Sequence, residues 1–110
     1  MSAPFRVFVA EADGSTRVEE LGTDRLSALQ RLVGGYIEQV PGWRIGALVA
    51  LVNEEGWLRD LAPNPYGPRW LQQPIAGPIV ILREGREDFA GLRAPDIASL
   101  VQSVAEVARD

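Results

Sequence analysis

A chain of 110 residues with 46% hydrophobic content is the size of one ordinary domain and can bury a real core. Fifteen acidic residues against 11 basic ones leave a formal net charge of −4, which suits solubility and works against non-specific attraction to phosphate backbones. Cysteine and histidine are both absent, which removes disulfides, thiolate nucleophiles, zinc–sulfur sites and every Ser-His-Asp or Cys-His machinery.

All 11 basic residues are arginine, a bias that a GC-rich genome explains without any need for guanidinium chemistry. A DNA mimic would carry far more negative charge. The opening Met1-Ser2-Ala3-Pro4-Phe5 lacks the basic and apolar blocks of a signal peptide. The longest apolar segment, Ile45 to Val52, is far too short to span a bilayer, so a cytoplasmic protein with no membrane partner is expected.

Phe5 to Val9 is rich in β-branched and aromatic residues and reads as a strand. Asp13-Gly14 is a strong turn pair, and Thr16 to Leu21 resumes extended character, so an opening hairpin is predicted. Thr23 or Asp24 can cap a helix whose apolar stripe is Leu26, Leu29, Leu32 and Val33. Gly34-Gly35 ends that helix, because glycine enters the left-handed region without a Cβ clash.

Tyr36 to Val40 reads as a short strand broken at Pro41-Gly42. Ile45 to Val52 is nearly continuous apolar sequence and looks like the central, doubly covered strand. Asn53-Glu54-Glu55-Gly56 then turns the chain, and Trp57 to Leu61 is expected to return alongside. Pro63 to Pro68 holds three prolines and cannot be regular structure, and Arg69 to Gln73 suits a single helical turn. Ile75 to Leu82 is a further strand, and the Gly77-Pro78 pair inside it suggests a bulge or an edge. Pro95 opens a helix carrying Ile97, Leu100, Val101, Val104 and Val107, running to the C-terminus. The pattern predicts one α+β domain over residues 1–110: a mostly antiparallel sheet of about five strands with two main helices packed on it.

Three groups of residues can carry chemistry. Asn53-Glu54-Glu55-Gly56 is good hairpin sequence, and its paired carboxylates also suit a hard cation or acid–base work. Tyr36 and Glu38 lie two residues apart on one strand face, as a polar contact site if exposed and as core if not. Asn64, Tyr66, Arg69 and Trp70 sit in or beside the proline loop. There they can stack a base and hold a phosphate, or form a rigid cap on one end of the sheet. Gly34-Gly35 follows a helix and so is no phosphate loop. Arg83, Arg86 and Arg93 are diluted by Glu84, Glu87 and Asp88, as on a solvated face.

At Val33-Gly34-Gly35-Tyr36-Ile37-Glu38, Asn53-Glu54-Glu55-Gly56, Asn64 and Pro74-Ile75-Ala76-Gly77-Pro78-Ile79, the chain resembles a domain of unknown function found in small proteins of bacteria, their phages and plasmids. The resemblance covers roughly residues 24 to 100. It implies no activity, substrate or cofactor, but it carries polar positions over to Glu38, Asn53, Glu54 and Asn64. The long Pro63 to Pro74 loop and the absence of lysine depart from the family pattern.

With nucleophile–base pairs missing, the expected function is that of a non-catalytic accessory protein of phage or mobile-element type. It would bind a small ligand, such as a nucleotide sequestered from host defence, or a protein partner, with Tyr36, Glu38, Asn53, Glu54, Asn64 and Arg69 as ligand-binding residues. In the nucleotide version Asn and Glu read base edges or a ribose, the tyrosine stacks and Arg69 takes phosphate. No cofactor, metal ligand set or duplex nucleic-acid partner is expected. The alternatives are a homodimer or higher homo-oligomer assembled through the Ile75 to Leu82 edge, and a small metal-dependent hydrolase using Glu38, Glu54 or Glu55.

Overall fold

Turn chemistry and apolar patterning set the frame of the sheet. The computed structural model describes residues 4–108. The leader reading at residues 1–3 and the reading of the C-terminal helix at residues 109–110 therefore lie outside the described residues. Strands β1 (Phe5–Ala10) and β2 (Thr16–Leu21) form the predicted hairpin. The Asp13 carboxylate holds its turn, accepting from the Ser15 N–H at 2.9 Å and the Ser15 hydroxyl at 2.6 Å.

Helix α1 (Arg25–Val33) starts at Asp24, whose carboxylate accepts from the Ser27 N–H at 3.3 Å, and stops at Gly34 with φ +81°. Leu29, Leu32 and Val33 of its stripe are buried. Leu26, in the first turn, is instead exposed at the mouth of a cavity beside Phe5 and Phe89.

Strands β3 (Ile37–Gln39), β4 (Leu48–Asn53) and β5 (Ile79–Glu84) complete the order β2-β1-β5-β4-β3, with the two-residue β6 (Phe89–Ala90) attached to β5. Every pairing is antiparallel. Helix α1 covers one face, over Val7, Val9, Val49, Leu51, Val80 and Leu82. The proline loop and α2 (Ala94–Ala108) cover the other, over Phe8, Ala50, Val52, Ile79 and Ile81. The fold is α+β with a mostly antiparallel sheet, as the pattern predicts.

Five expectations change. β4 begins at Leu48, because Gly46 turns the chain at φ +60° and the Leu48 N–H donates to the Ile45 carbonyl at 2.9 Å. All six β4 residues are buried, which is why it reads as central, yet the middle strand is β5. β5 begins only after Pro78 and pairs with both β1 and β4, so the Ile75 to Leu82 segment offers no edge for a second copy. Trp57 to Leu61 forms tight turns instead of a returning strand, with the Arg59 N–H on the Glu55 carbonyl at 2.9 Å and the Leu61 N–H on the Gly56 carbonyl at 3.0 Å. The helical turn predicted at Arg69 to Gln73 is a π-helical turn at Gly67–Leu71.

At α2, Arg83 does not lie on a solvated face. Its Nη1 donates to both carboxylate oxygens of Asp96, at 3.0 and 2.9 Å, and fastens the first helical turn to the end of β5. Leu100 is buried, while Val101 is exposed.

Asn64 holds the proline loop down and is 2% exposed. Its amide Nδ2 donates to the carbonyls of Ala10 and Gly77, both at 2.9 Å, and its Oδ1 accepts from the Tyr66 N–H at 2.9 Å. Asn64→Ala takes a buried partner from two carbonyls and one N–H, so urea unfolding is expected to show a loss of about 3 kcal/mol. A loss below about 1 kcal/mol would mean that water replaces the amide.

The Tyr66 hydroxyl donates to the Gly14 carbonyl at 2.6 Å. Burial, and then the negative charge of Asp13, raise the Tyr66 pKa above its ordinary value of 10.0. Above that pH the unfolded chain loses a proton that the folded chain keeps, so stability falls as pH rises. Denaturant midpoints measured from pH 9 upward are expected to drop above about pH 10. Tyr66→Phe should flatten that drop.

Candidate functional site

The ends of two motifs interlock at the β3 side of the sheet. Asn53 closes β4 and is 5% exposed. Its Nδ2 donates to the Val33 carbonyl at the end of α1, at 3.1 Å, and its Oδ1 accepts from the Glu55 N–H at 2.7 Å. A Cβ on Gly35 would stand 2.9 Å from Asn53 Nδ2, so the second glycine of the pair exists to let this amide in. The Glu54 N–H donates to the Tyr36 carbonyl at 2.9 Å. On the far side a Cβ at Gly56 would collide with the Ala76 carbonyl, which presses the turn flat against the lead-in to β5.

This interlock encloses a cleft of about 190 Å³. Its acidic lining residues are Glu38, Glu54 and Glu55, and Gln73 and Pro74 also line it. Trp57 and Leu58 also line it and are 54% and 84% exposed, an unusual display for large apolar residues on a turn. No arginine lines the cleft; Arg59 stands outside it, 3.7 Å from Glu55. The two non-glycine residues of positive φ among the described residues are Asp60 at 55° and Gln72 at 54°. One closes the Trp57–Leu58 turn and the other precedes Gln73, so the chain holds left-handed backbone at both walls, at about 1 kcal/mol each.

Of the residues predicted to bind a ligand, the fold brings Glu38, Asn53 and Glu54 to this cleft. Tyr36, Asn64 and Arg69 are not among its lining residues. Tyr36 is 64% exposed and adjoins the cleft through its main chain. Asn64 lies under the proline loop, and Arg69 is exposed on the π-helical turn. The aromatics of that loop face inward: the Tyr66 ring stands 4.5 Å from Trp70, and Trp70 stands 6.3 Å from Phe8. The loop caps the sheet.

Sequence reasoning missed Trp57 and Leu58, because the segment after the Asn53–Gly56 turn was expected to return as a strand. Among the described residues no three His, Cys, Asp or Glu side chains gather as a metal site would require. Glu38, Glu54 and Glu55 line one cleft without forming such a group.

The sequence profile of a family described as a domain of unknown function, DUF3846, matches residues 5–105. The chain belongs to DUF3846. No curated protein and no solved structure matches it. The matched span runs from β1 through most of α2, so the sheet, both covering layers and the cleft all fall within the DUF3846 domain. Among the described residues no helix is long and apolar enough to cross a membrane.

If the motif glycine serves the amide, the two substitutions must be coupled. Gly35→Ala is expected to cost about 1–3 kcal/mol in the wild-type background and much less alongside Asn53→Ala, as a double-mutant cycle of urea midpoints would read. Additive losses would separate the two residues.

Proposed function

We propose that this DUF3846 protein is a non-catalytic binding module, and that the cleft beside the Asn53–Gly56 turn takes a positively charged group of its partner. The observation that carries this reading is the composition of the walls: three carboxylates, no lining arginine, and an exposed indole beside them. Two carboxylates of the turn and one of a neighbouring strand set negative potential in one concave space, where their fields add at a bound cation. Trp57 adds an aromatic face for the same cation.

The nucleotide version of the expectation draws less support. A phosphate in the cleft would meet carboxylates, Arg69 does not line it, and the amides of Asn53 and Asn64 are already engaged with the main chain. Among the small-ligand and protein-partner readings, the charge favours a basic partner.

An NMR titration of the labelled protein with N-acetyl-arginine amide and, separately, with ATP tests this. The arginine derivative is expected to shift the Glu38, Glu54 and Trp57 signals at millimolar concentration, with the effect fading at high salt and in Glu38→Gln/Glu54→Gln. ATP should leave the cleft unchanged. Shifts from ATP at these residues, with none from the cation, would overturn the reading.

A further inference from the structure

β3 is the last strand of its side of the sheet, and the register shows which of its backbone groups are left over. The Glu54 N–H donates to the Tyr36 carbonyl and the Val40 N–H to the Ala50 carbonyl, each at 2.9 Å. Residues 36, 38 and 40 therefore turn their amides and carbonyls toward β4. By the alternation of an antiparallel ladder, the N–H and C=O of Ile37 and Gln39 point away from the sheet. Side chains follow the same alternation. Ile37 packs toward the α1 layer, while Glu38 lies on the opposite face and lines the cleft.

The other edge of the sheet is guarded. On β2, Arg17 reaches Glu11 at 2.7 Å and Glu19 at 3.7 Å, and Arg6 of β1 stands 3.9 Å from Glu20. A charged lattice of this kind discourages strand pairing. β3 carries no such lattice and stands next to the exposed Trp57 and Leu58.

We propose that β3 accepts an extended segment of a partner protein as an added antiparallel strand, with an arginine or lysine opposite Glu38 and its cationic head in the cleft. The proposal rests on the cleft reading above and adds what holds the partner's backbone. Main-chain bonds to Ile37 and Gln39 supply sequence-independent affinity, and the cleft supplies the choice of side chain. The residue opposite Glu38 projects on its face with Cβ atoms about 5 Å apart, within easy reach for a long basic side chain. Its two neighbours face the side where Ile37 is half-buried, so an apolar–basic–apolar segment fits. A second copy of this chain fits badly: antiparallel pairing of β3 with itself about a two-fold would set Glu38 against Glu38, and like charges directly opposite repel.

The test uses the full-length protein and three acetylated, amidated pentapeptides: TVRVT, the same peptide with both valine nitrogens methylated, and TVEVT. TVRVT is expected to bind at the cleft and slow hydrogen exchange at the Ile37 and Gln39 amides. Methylation, which removes the two N–H groups facing β3 and keeps the charge, should weaken binding about tenfold or more. TVEVT should not bind. Equal affinity of the methylated and parent peptides, or binding of N-acetyl-arginine amide without any protection at Ile37 and Gln39 by TVRVT, overturns strand addition and leaves the cleft reading standing. Silence from TVRVT and N-acetyl-arginine amide alike overturns both.

Discussion

Two buried asparagine amides hold the parts of this fold that its apolar core cannot. A sheet covered on both faces leaves main-chain groups unpaired wherever a strand ends or a loop dives inward, and each such group costs about 1–3 kcal/mol if nothing meets it. Asn64 joins the end of β1, the Gly77 carbonyl in the lead-in to β5 and the proline loop through three bonds of 2.9 Å. Asn53 joins the C-terminus of α1 to the turn that follows β4. Neither position tolerates a hydrophobic side chain, since the carbonyls would remain. The glycines nearby are consequences: Gly35 makes room for the Asn53 amide, and Gly77, at φ +93°, would otherwise drive a Cβ into Leu61.

These ties explain what could be read from the chain and what could not. Local signals carried the hairpin at Asp13-Gly14, the Asp24 cap and the Gly34 stop, because each is a contact between residues a few positions apart. The strand order was hidden, since β4 and β5 are both apolar on two faces and nothing within either run says which is the middle one. Both asparagines looked like turn residues or ligand contacts, because their carbonyl partners lie 20 and 54 residues away. The Trp57 to Leu61 segment misled for the same reason. It follows a hairpin-like turn, yet its amides bond back to Glu55 and Gly56, and Gly56 lies tight against Ala76 across the fold.

The cleft follows from that rigidity. Because Asn53 fixes the start of the turn and Gly56 presses its end against the chain leading into β5, the side chains between and after them have nowhere to go but outward. Glu54, Trp57 and Leu58 are shown to solvent by a backbone that is tied at both ends. The left-handed residues Asp60 and Gln72 mark where the chain bends to keep those ties. A rigid turn also limits the entropy lost when a partner docks, which is how a small surface gains affinity.

The two edges of the sheet are limited by different means. An unguarded edge strand invites association with any exposed strand, and the β2 edge answers with interleaved charges. β3 is kept short instead: three residues, ended by Pro41 after Val40 joins β4. That length presents only two outward-facing residues, too few for stable pairing on backbone bonds alone. Whatever pairs there must also satisfy Glu38 and the carboxylates beyond it. Brevity and the exposed Glu38 thus limit this edge by other means than the charge lattice of β2.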